Sequence, residues 1–196
     1  MDTPDRIGTT PPKRARDRIF EAASDLFYRE GIRAVGVDEI VTRAGATKPS
    51  LYRSFDSKDQ LVAAYVRERS DYFWAHFDAA VEAHPGHPRA QLLEFFDGLS
   101  KRAAKPAYRG CGVTNALVEH PDPDHPGRIV ALAHKARLRK RLRAMAAELG
   151  AKRPNELADG LLLLIEGANI SSLMFEGDRP ATKVRDLAKA LIKAYR

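Results

Sequence analysis

The stretch from Val37 to Phe55 constrains the fold most, because it fits two short helices joined by a tight turn. Apolar residues recur at helical spacing as far as Ala44, which predicts a short amphipathic helix. Gly45 would end that helix, since glycine accepts the left-handed backbone conformation common at helix ends. Thr47 can cap a second helix through its hydroxyl group. The pattern predicts a helix-turn-helix, whose second helix would enter the DNA major groove.

The sequence on both sides extends this pattern. An amphipathic helix precedes it, and the segment F-D-S-K-D-Q-L that begins at Phe55 opens a long helix. Residues 14–62 resemble the DNA-binding domain of TetR-type transcriptional regulators. The resemblance is carried by Ile19, Ala22, Ala23, Leu26, Phe27, Gly31, Val37, Ile40, Ala44, Gly45, Thr47, Lys48, Leu51, Tyr52, Phe55, Lys58 and Leu61.

The resemblance implies a domain order and a function. A DNA-binding domain would cover residues 13–58, after a flexible tail over residues 1–12, and a ligand-binding and dimerisation domain would cover residues 59–196. The protein would be a sequence-specific regulator, expected to be a repressor that a small-molecule effector releases from DNA. The expected partners are an approximately palindromic double-stranded DNA operator, a second copy of the chain and an unidentified effector. No enzymatic activity, cofactor or metal is expected.

The amino-acid composition limits which classes of protein the chain can belong to. The chain has 196 residues, is 44% hydrophobic and carries a net charge of +7, which favours polyanionic partners, nucleic acid before acidic membrane. A single cysteine excludes an internal disulfide framework and fits a reducing, cytoplasmic setting. No run of residues is apolar over the length of a membrane span, and the N-terminus has no signal-peptide core, so no membrane partner is expected.

The rest of the chain has helical periodicity throughout. We see no alternating strand pattern and no internal repeat, so the predicted fold class is all-α. An N-terminal three-helix domain would be followed by a larger helical domain, with about nine helices in total. They are expected near residues 14–29, 37–44, 48–54, 58–83, 89–104, 110–120, 126–149, 155–176 and 181–195.

The second helix of the motif supplies most candidate DNA contacts. Lys48 stands at its start, where side chains reach base edges, and Arg53 can pair with guanine. The resemblance implies a phosphate contact by the Tyr52 hydroxyl. Pro49 departs from the family, which usually has glycine there, and Gly36 stands where serine or threonine usually caps the preceding helix. The full set of predicted DNA contacts is Arg14, Thr42, Thr47, Lys48, Pro49, Ser50, Tyr52, Arg53 and Lys58.

A second group of polar residues lies beyond the motif. Cys111, Asn115 and Glu119 are four residues apart, so they share one face of a helix, and His134 follows in the next predicted helix. The run, with the P-D-P-D-H-P loop after it, resembles a C-terminal signature of one TetR subgroup. Three interpretations stay open: a hydrogen-bonded network between helices, the rim of a ligand pocket, or a metal held by Asn115, Glu119 and His134.

Aromatic residues could form the wall of such a pocket, although they could equally well pack a core. The expected ligand is modest in size and largely apolar, with one polar anchor. The predicted ligand-binding residues are Tyr72, Phe73, Phe77, Phe95, Phe96, Cys111, Asn115, Glu119 and His134.

The helix predicted near residues 155–176 is apolar on almost every face. It therefore has more apolar surface than the core of one chain can cover. A second copy of the chain would provide the missing cover. The predicted dimer contacts are Leu161, Leu162, Ile165, Ala168, Leu187 and Leu191.

Two other classes of protein compete with the regulator. Cys111 and His134 could form a thiol–imidazole pair in an enzyme, with Asn115 orienting the imidazole. The basic run from Lys135 to Arg143 could bind nucleic acid or a membrane surface without sequence preference. Neither alternative explains the helix-turn-helix, so a regulator is the preferred prediction.

Overall fold

The structure is a computed structural model that describes residues 13–175 and 179–196. Within these residues all regular structure is helical, which confirms the predicted fold class. The tail predicted over residues 1–12 and the predicted end of the eighth helix at Glu176 lie outside the described residues. The helices are α1 (Ala15–Glu30), α2 (Val37–Arg43), α3 (Lys48–Ser54), α4 (Lys58–Glu82), α5 (Pro88–Ala103), α6 (Gly112–Glu119), α7 (Pro126–Glu148), α8 (Pro154–Met174) and α9 (Val184–Ala194).

Helix boundaries follow the sequence signals closely, and α3 spans the predicted residues. The start of α6 differs from the prediction, because Gly110 has a φ of 73° and cannot belong to a right-handed helix. The last predicted helix is divided, since a short 3-10 helix at Pro180–Lys183 precedes α9. Such turns are frequent at helix N-termini.

The N-terminal apolar core extends beyond the three-helix domain. Ile19, Ile40 and Leu51 from α1, α2 and α3 are fully buried in it. The same cluster includes Leu61 and Tyr65 of α4, and it continues into α6 and α7. The predicted boundary at residue 58 therefore falls within a shared core, in which α4 and α6 pack against the helix-turn-helix domain.

A second core lies between α4, α5, α7, α8 and α9. It corrects part of the predicted dimer interface, because Leu161, Ile165 and Ala168 are 0%, 1% and 4% exposed within this single chain. These side chains pack against the chain's own helices, so they are not available to a second copy. Of the other predicted contacts, Leu162 and Leu191 are half-buried, and Leu187 is 53% exposed.

Contrary to the sequence prediction that no run is apolar over the length of a membrane span, α8 is the one helix in the described part of the chain that is long and apolar enough to cross a membrane, by length and composition only. Core helices of soluble proteins meet the same criterion of length and composition. Here one face of α8 is buried within the second core, and its Leu163 and Met174 side chains are exposed.

Candidate nucleic-acid interface and ligand cavity

An arginine of α1 donates two hydrogen bonds to the turn between α2 and α3. Gly45 adopts a φ of 56°, which lets the chain reverse between the two helices. Arg18 donates from Nε to the Ala44 carbonyl oxygen at 3.0 Å and from Nη2 to the Gly45 carbonyl oxygen at 3.2 Å. This contact could not be predicted from the sequence, since only the folded chain brings Arg18 to the turn. Its two bonds connect α1 to the turn that precedes α3.

Local hydrogen bonds organise the start of α3. The Thr47 hydroxyl accepts from the Ser50 amide at 3.3 Å, as expected for a helix cap. The Ser50 hydroxyl is 3.0 Å from the Thr47 hydroxyl and accepts from Arg53 Nη2 at 3.1 Å. Leu51 is buried beneath the helix, whereas Tyr52 is 51% exposed. Core packing on one side thus leaves the predicted DNA contacts on the other.

An ion pair joins the first residue of α3 to α2. Lys48 Nζ lies 2.7 Å from Asp38 Oδ1, and both side chains are largely exposed. The hydrogen bond that Lys48 donates to Asp38, together with the negative charge of Asp38, raises the pKa of Lys48. Thr42 donates to the Asp38 carbonyl oxygen at 2.8 Å, so its hydroxyl is close to the same pair. An incoming phosphate would compete with the Asp38 carboxylate for the Lys48 ammonium.

The remaining predicted DNA contacts are placed differently. Arg14 occupies the N-cap position of α1 without a side-chain capping bond, Pro49 lies in the first turn of α3, and both are exposed. Lys58 instead donates from Nζ to the Ile32 carbonyl oxygen at 2.9 Å, and burial lowers its pKa. Its ammonium is therefore engaged in the fold, and a DNA contact by Lys58 would require this bond to break.

Two polar side chains of α6, Asn115 and Glu119, hydrogen-bond to loops outside the helix. Asn115 donates to the Arg109 carbonyl oxygen at 3.0 Å, and Glu119 Oε2 accepts from the Arg33 amide at 2.9 Å. These bonds join α6 to the loop before it and to the loop between α1 and α2. Asn115 and Glu119 do not line the cavity described below, and their hydrogen bonds fit the interpretation of a network between helices.

His134 has a structural environment of its own. Its Nδ1 is hydrogen-bonded to the Ser70 hydroxyl at 2.9 Å, and its ring packs edge-on against Phe73 with centroids 4.9 Å apart. It is buried behind Phe73 and is not itself a lining residue of the cavity described below. No group of three His, Cys, Asp or Glu side chains among the described residues could hold a metal ion.

A cavity of about 290 Å³ opens between α1, α4, α5, α8 and the loop before α6. The predicted residues Tyr72, Phe73 and Cys111 line it. Phe77, Phe95 and Phe96 do not, because they are buried in the second core. The lining is Tyr28, Arg69, Tyr72, Phe73, His76, Leu99, Arg102, Lys105, Ala107, Tyr108, Gly110, Cys111, Gly112, Ile165 and Asn169.

Sequence reasoning missed two arginines of this cavity, although a signal was present. Arg69 follows Tyr65 by four residues, and Arg102 follows Leu99 by three. Both therefore continue the buried stripe of their helix, where a charge is unusual. Tyr28 and Asn169, two further polar lining residues that were missed, come from helices far apart in the chain.

The basic run of α7 is largely committed to contacts within the chain. Lys135 pairs with Glu166, and Arg139 donates to both oxygens of Asp159 at 2.7 and 2.6 Å. The hydrogen bond from Arg139 lowers the pKa of Asp159 to about 2. These contacts favour a structural role for the run over non-specific binding of nucleic acid.

Comparison with known proteins agrees with the geometry. The sequence model described as bacterial regulatory proteins, tetR family, matches residues 19–65. The SCO4454 TetR-family regulator of Streptomyces coelicolor has a TM-score of 0.87 at 28% identity, over 92% of this chain and 95% of its own. A tetR transcriptional regulator of Streptomyces avermitilis, sav143, is 32% identical over 93% of this chain and 98% of its own, with a TM-score of 0.79.

The chain belongs to the TetR family. This confirms the resemblance that residues 14–62 showed. Among curated TetR-like regulators, the transcriptional activator FasR of Mycolicibacterium smegmatis is 41% identical over 90 residues, 44% of this chain and 41% of its own length. The chain spans about half the length of the curated relatives it matches, 55% and 41% of the first two.

We expect His134 to make the stability of this TetR-family protein depend on pH. Burial, with Lys135 and Arg137 nearby, lowers its pKa from 6.5 to about 4. Between these values the unfolded state binds more protons than the folded state. Stability is therefore complete above the unfolded pKa and falls as the pH drops, by about 2 kcal/mol at pH 5.

Urea unfolding at pH 7.5 and pH 5 tests this prediction. His134→Gln should remove this part of the pH dependence, because glutamine does not titrate. His87→Gln, at the exposed N-cap of α5, is the matched control and should keep the wild-type slope. Equal slopes for wild type and His134→Gln would contradict the assignment.

Proposed function

We propose that this protein is a sequence-specific DNA-binding transcriptional regulator, controlled by a small molecule. The observation that carries the proposal is the presentation of α3, whose exposed face bears Lys48, Tyr52 and Arg53 on a turn fixed by Arg18. Two such helices in a dimer would contact successive major grooves about 34–36 Å apart, which requires an approximately palindromic operator. We further propose a cytoplasmic repressor that acts without enzymatic turnover.

DNA binding should be sequence-specific and should weaken steeply with salt. Lys48→Ala removes a cation from the exposed face of α3, so operator affinity should fall and the salt slope should decrease by about 1. Tyr52→Phe should also weaken binding by removing the exposed hydroxyl. The measurement is fluorescence anisotropy on an operator selected from random DNA, at several salt concentrations.

Lys189→Ala, an exposed lysine on α9, is the control and should bind as the wild type does. Circular dichroism would verify that each variant is folded. Equal affinity of the wild type for all duplexes of one length would refute sequence-specific regulation.

The homodimer is proposed from apolar side chains that the chain leaves uncovered. On α8 Leu163, Ile170 and Met174 are 72%, 36% and 66% exposed, and Leu187 on α9 is 53% exposed. A shallow groove between the two helices includes Leu163, Gly167 and Leu187. A contiguous apolar surface of this kind on a soluble protein marks an interaction site. This face replaces the buried contacts predicted from the sequence.

Leu163→Glu should convert the dimer to a monomer, because the carboxylate would be buried without a partner at the interface. Since Leu163 is 72% exposed within the chain, the fold itself should be retained. Val118→Glu, at a residue of α6 that is 75% exposed, is the matched control and should stay dimeric. Light scattering at micromolar concentration gives the mass, and a wild-type monomer would contradict the proposal.

A route from the cavity to the DNA-binding face runs through α1. Tyr28 of α1 lines the cavity, and its hydroxyl donates to the Gly110 carbonyl oxygen at 3.2 Å and accepts from the Arg109 amide at 2.9 Å. Arg18, on the same helix, holds the turn before α3. A ligand that moves the loop at Gly110 can therefore tilt α1 and the turn together, provided that it binds one arrangement better than the other.

Tyr28→Phe should reduce the effect of the ligand on DNA binding. For a compound selected by thermal shift, we expect operator affinity of the wild type to fall roughly 5- to 150-fold. The variant lacks both hydrogen bonds to the loop, so its decrease should be smaller. Tyr195→Phe, at the end of α9, is the control. Equal ligand effects in wild type and Tyr28→Phe would exclude this route.

A further inference from the structure

The charge of the cavity is not explained by a largely apolar ligand. Three cationic side chains line it, Arg69, Arg102 and Lys105, and its lining contains no aspartate or glutamate. Arg69 is neutralised, because Glu68 accepts from its Nε and Nη2 at 2.7 and 2.6 Å. Arg102 differs, since its guanidinium has no hydrogen bond or ion pair to any residue that the structure describes. The cavity therefore contains an uncompensated positive charge.

Arg102 is also partly removed from water. It lies in the last turn of α5, half-buried, and its Nη1 would be 3.1 Å from a Cβ placed on Gly98. The absence of a side chain at Gly98 thus lets the guanidinium lie against the helix. Burial lowers the pKa of Arg102, but an arginine remains charged at neutral pH. A desolvated charge without a partner is unfavourable, and a bound anion would offset that cost.

The other residues that line the cavity indicate the shape and polarity of the rest of the ligand. Tyr72, Phe73 and Ile165 provide apolar and aromatic surface. Tyr108 donates to Asn169 Oδ1 at 2.7 Å, which leaves the Asn169 amide nitrogen as a further donor. The combination suits a flat apolar body with a compact negative group. A planar carboxylate fits one free guanidinium, which can bind both oxygens, better than a phosphate dianion would.

We propose that the cavity binds small aromatic carboxylates, with the carboxylate paired to Arg102. This inference rests on the proposed function in one respect, since it takes the cavity to be the effector site. Binding to the cavity can nevertheless be measured without DNA, so the two proposals can fail separately.

The test compares an acid with its neutral isostere on the full chain. Calorimetry with 1-naphthoate and 1-naphthamide at pH 7.5 should show tighter binding of the acid to the wild type. Arg102→Met keeps most of the side-chain volume and removes the charge, so naphthoate affinity should fall roughly 10- to 100-fold. Naphthamide affinity should change little. Arg102→Lys should recover part of the loss, because it restores the charge without the planar fork.

Arg89→Met is the matched control, with the same substitution at an exposed arginine of α5, and it should bind naphthoate as the wild type does. The comparison of the two compounds on the wild type needs no variant, so it stands even if Arg102→Met is unstable. Equal binding of naphthoate and naphthamide, or equal naphthoate binding by wild type and folded Arg102→Met, overturns the proposal. Failure of a panel of benzoate, phenylacetate and naphthoate to bind also overturns it. If the wild type bound naphthoate as expected but bound no operator, only the proposed regulatory function would be refuted.

Discussion

Helix α4 belongs to both apolar cores, and the rest of the structure depends on this sharing. Its first turns place Leu61 and Tyr65 under the helix-turn-helix, and its later turns place Trp74 and Phe77 in the larger core. Burial of such side chains stabilises a protein by about 1.5–3 kcal/mol each. Helix α4 therefore gives a continuous packed connection between the larger core beside the cavity and the core beneath α3.

A second connection is polar and lies beside the first. Tyr28 reaches from α1 to the loop at Gly110, and Glu119 reaches from α6 to the amide of Arg33. Hydrogen bonds are directional, whereas apolar packing tolerates small sliding movements. The polar contacts can therefore determine which position of α1 is favoured relative to α6 and the loop before it. The shared core meanwhile keeps α1 packed against α4. Tyr28 and Gly110, which form the first of these contacts, both line the cavity.

The charges of this basic chain fall into two groups. On α7 three cations of the dense run, Lys135, Arg139 and Arg143, pair with two carboxylates of α8, Glu166 and Asp159. In the cavity Arg102 has no such partner among the residues that the structure describes. A net charge therefore says little about where anions bind, because the pairing of each cation depends on helices that meet only in the folded chain.

The sequence by itself determined the local features of this protein. The glycine at the turn, the Thr47 cap and the helical spacing around Leu51 act within a few residues, so they fixed α2, α3 and the exposed face of the motif in advance. The all-helical class followed from the same short-range periodicity. Tertiary structure alone decided that Arg18 fixes the turn and that Ile165 belongs to the core. Long-range packing also determined which cavity arginine has no ionic partner within residues 13–175 and 179–196, because that depends on side chains of helices distant in sequence.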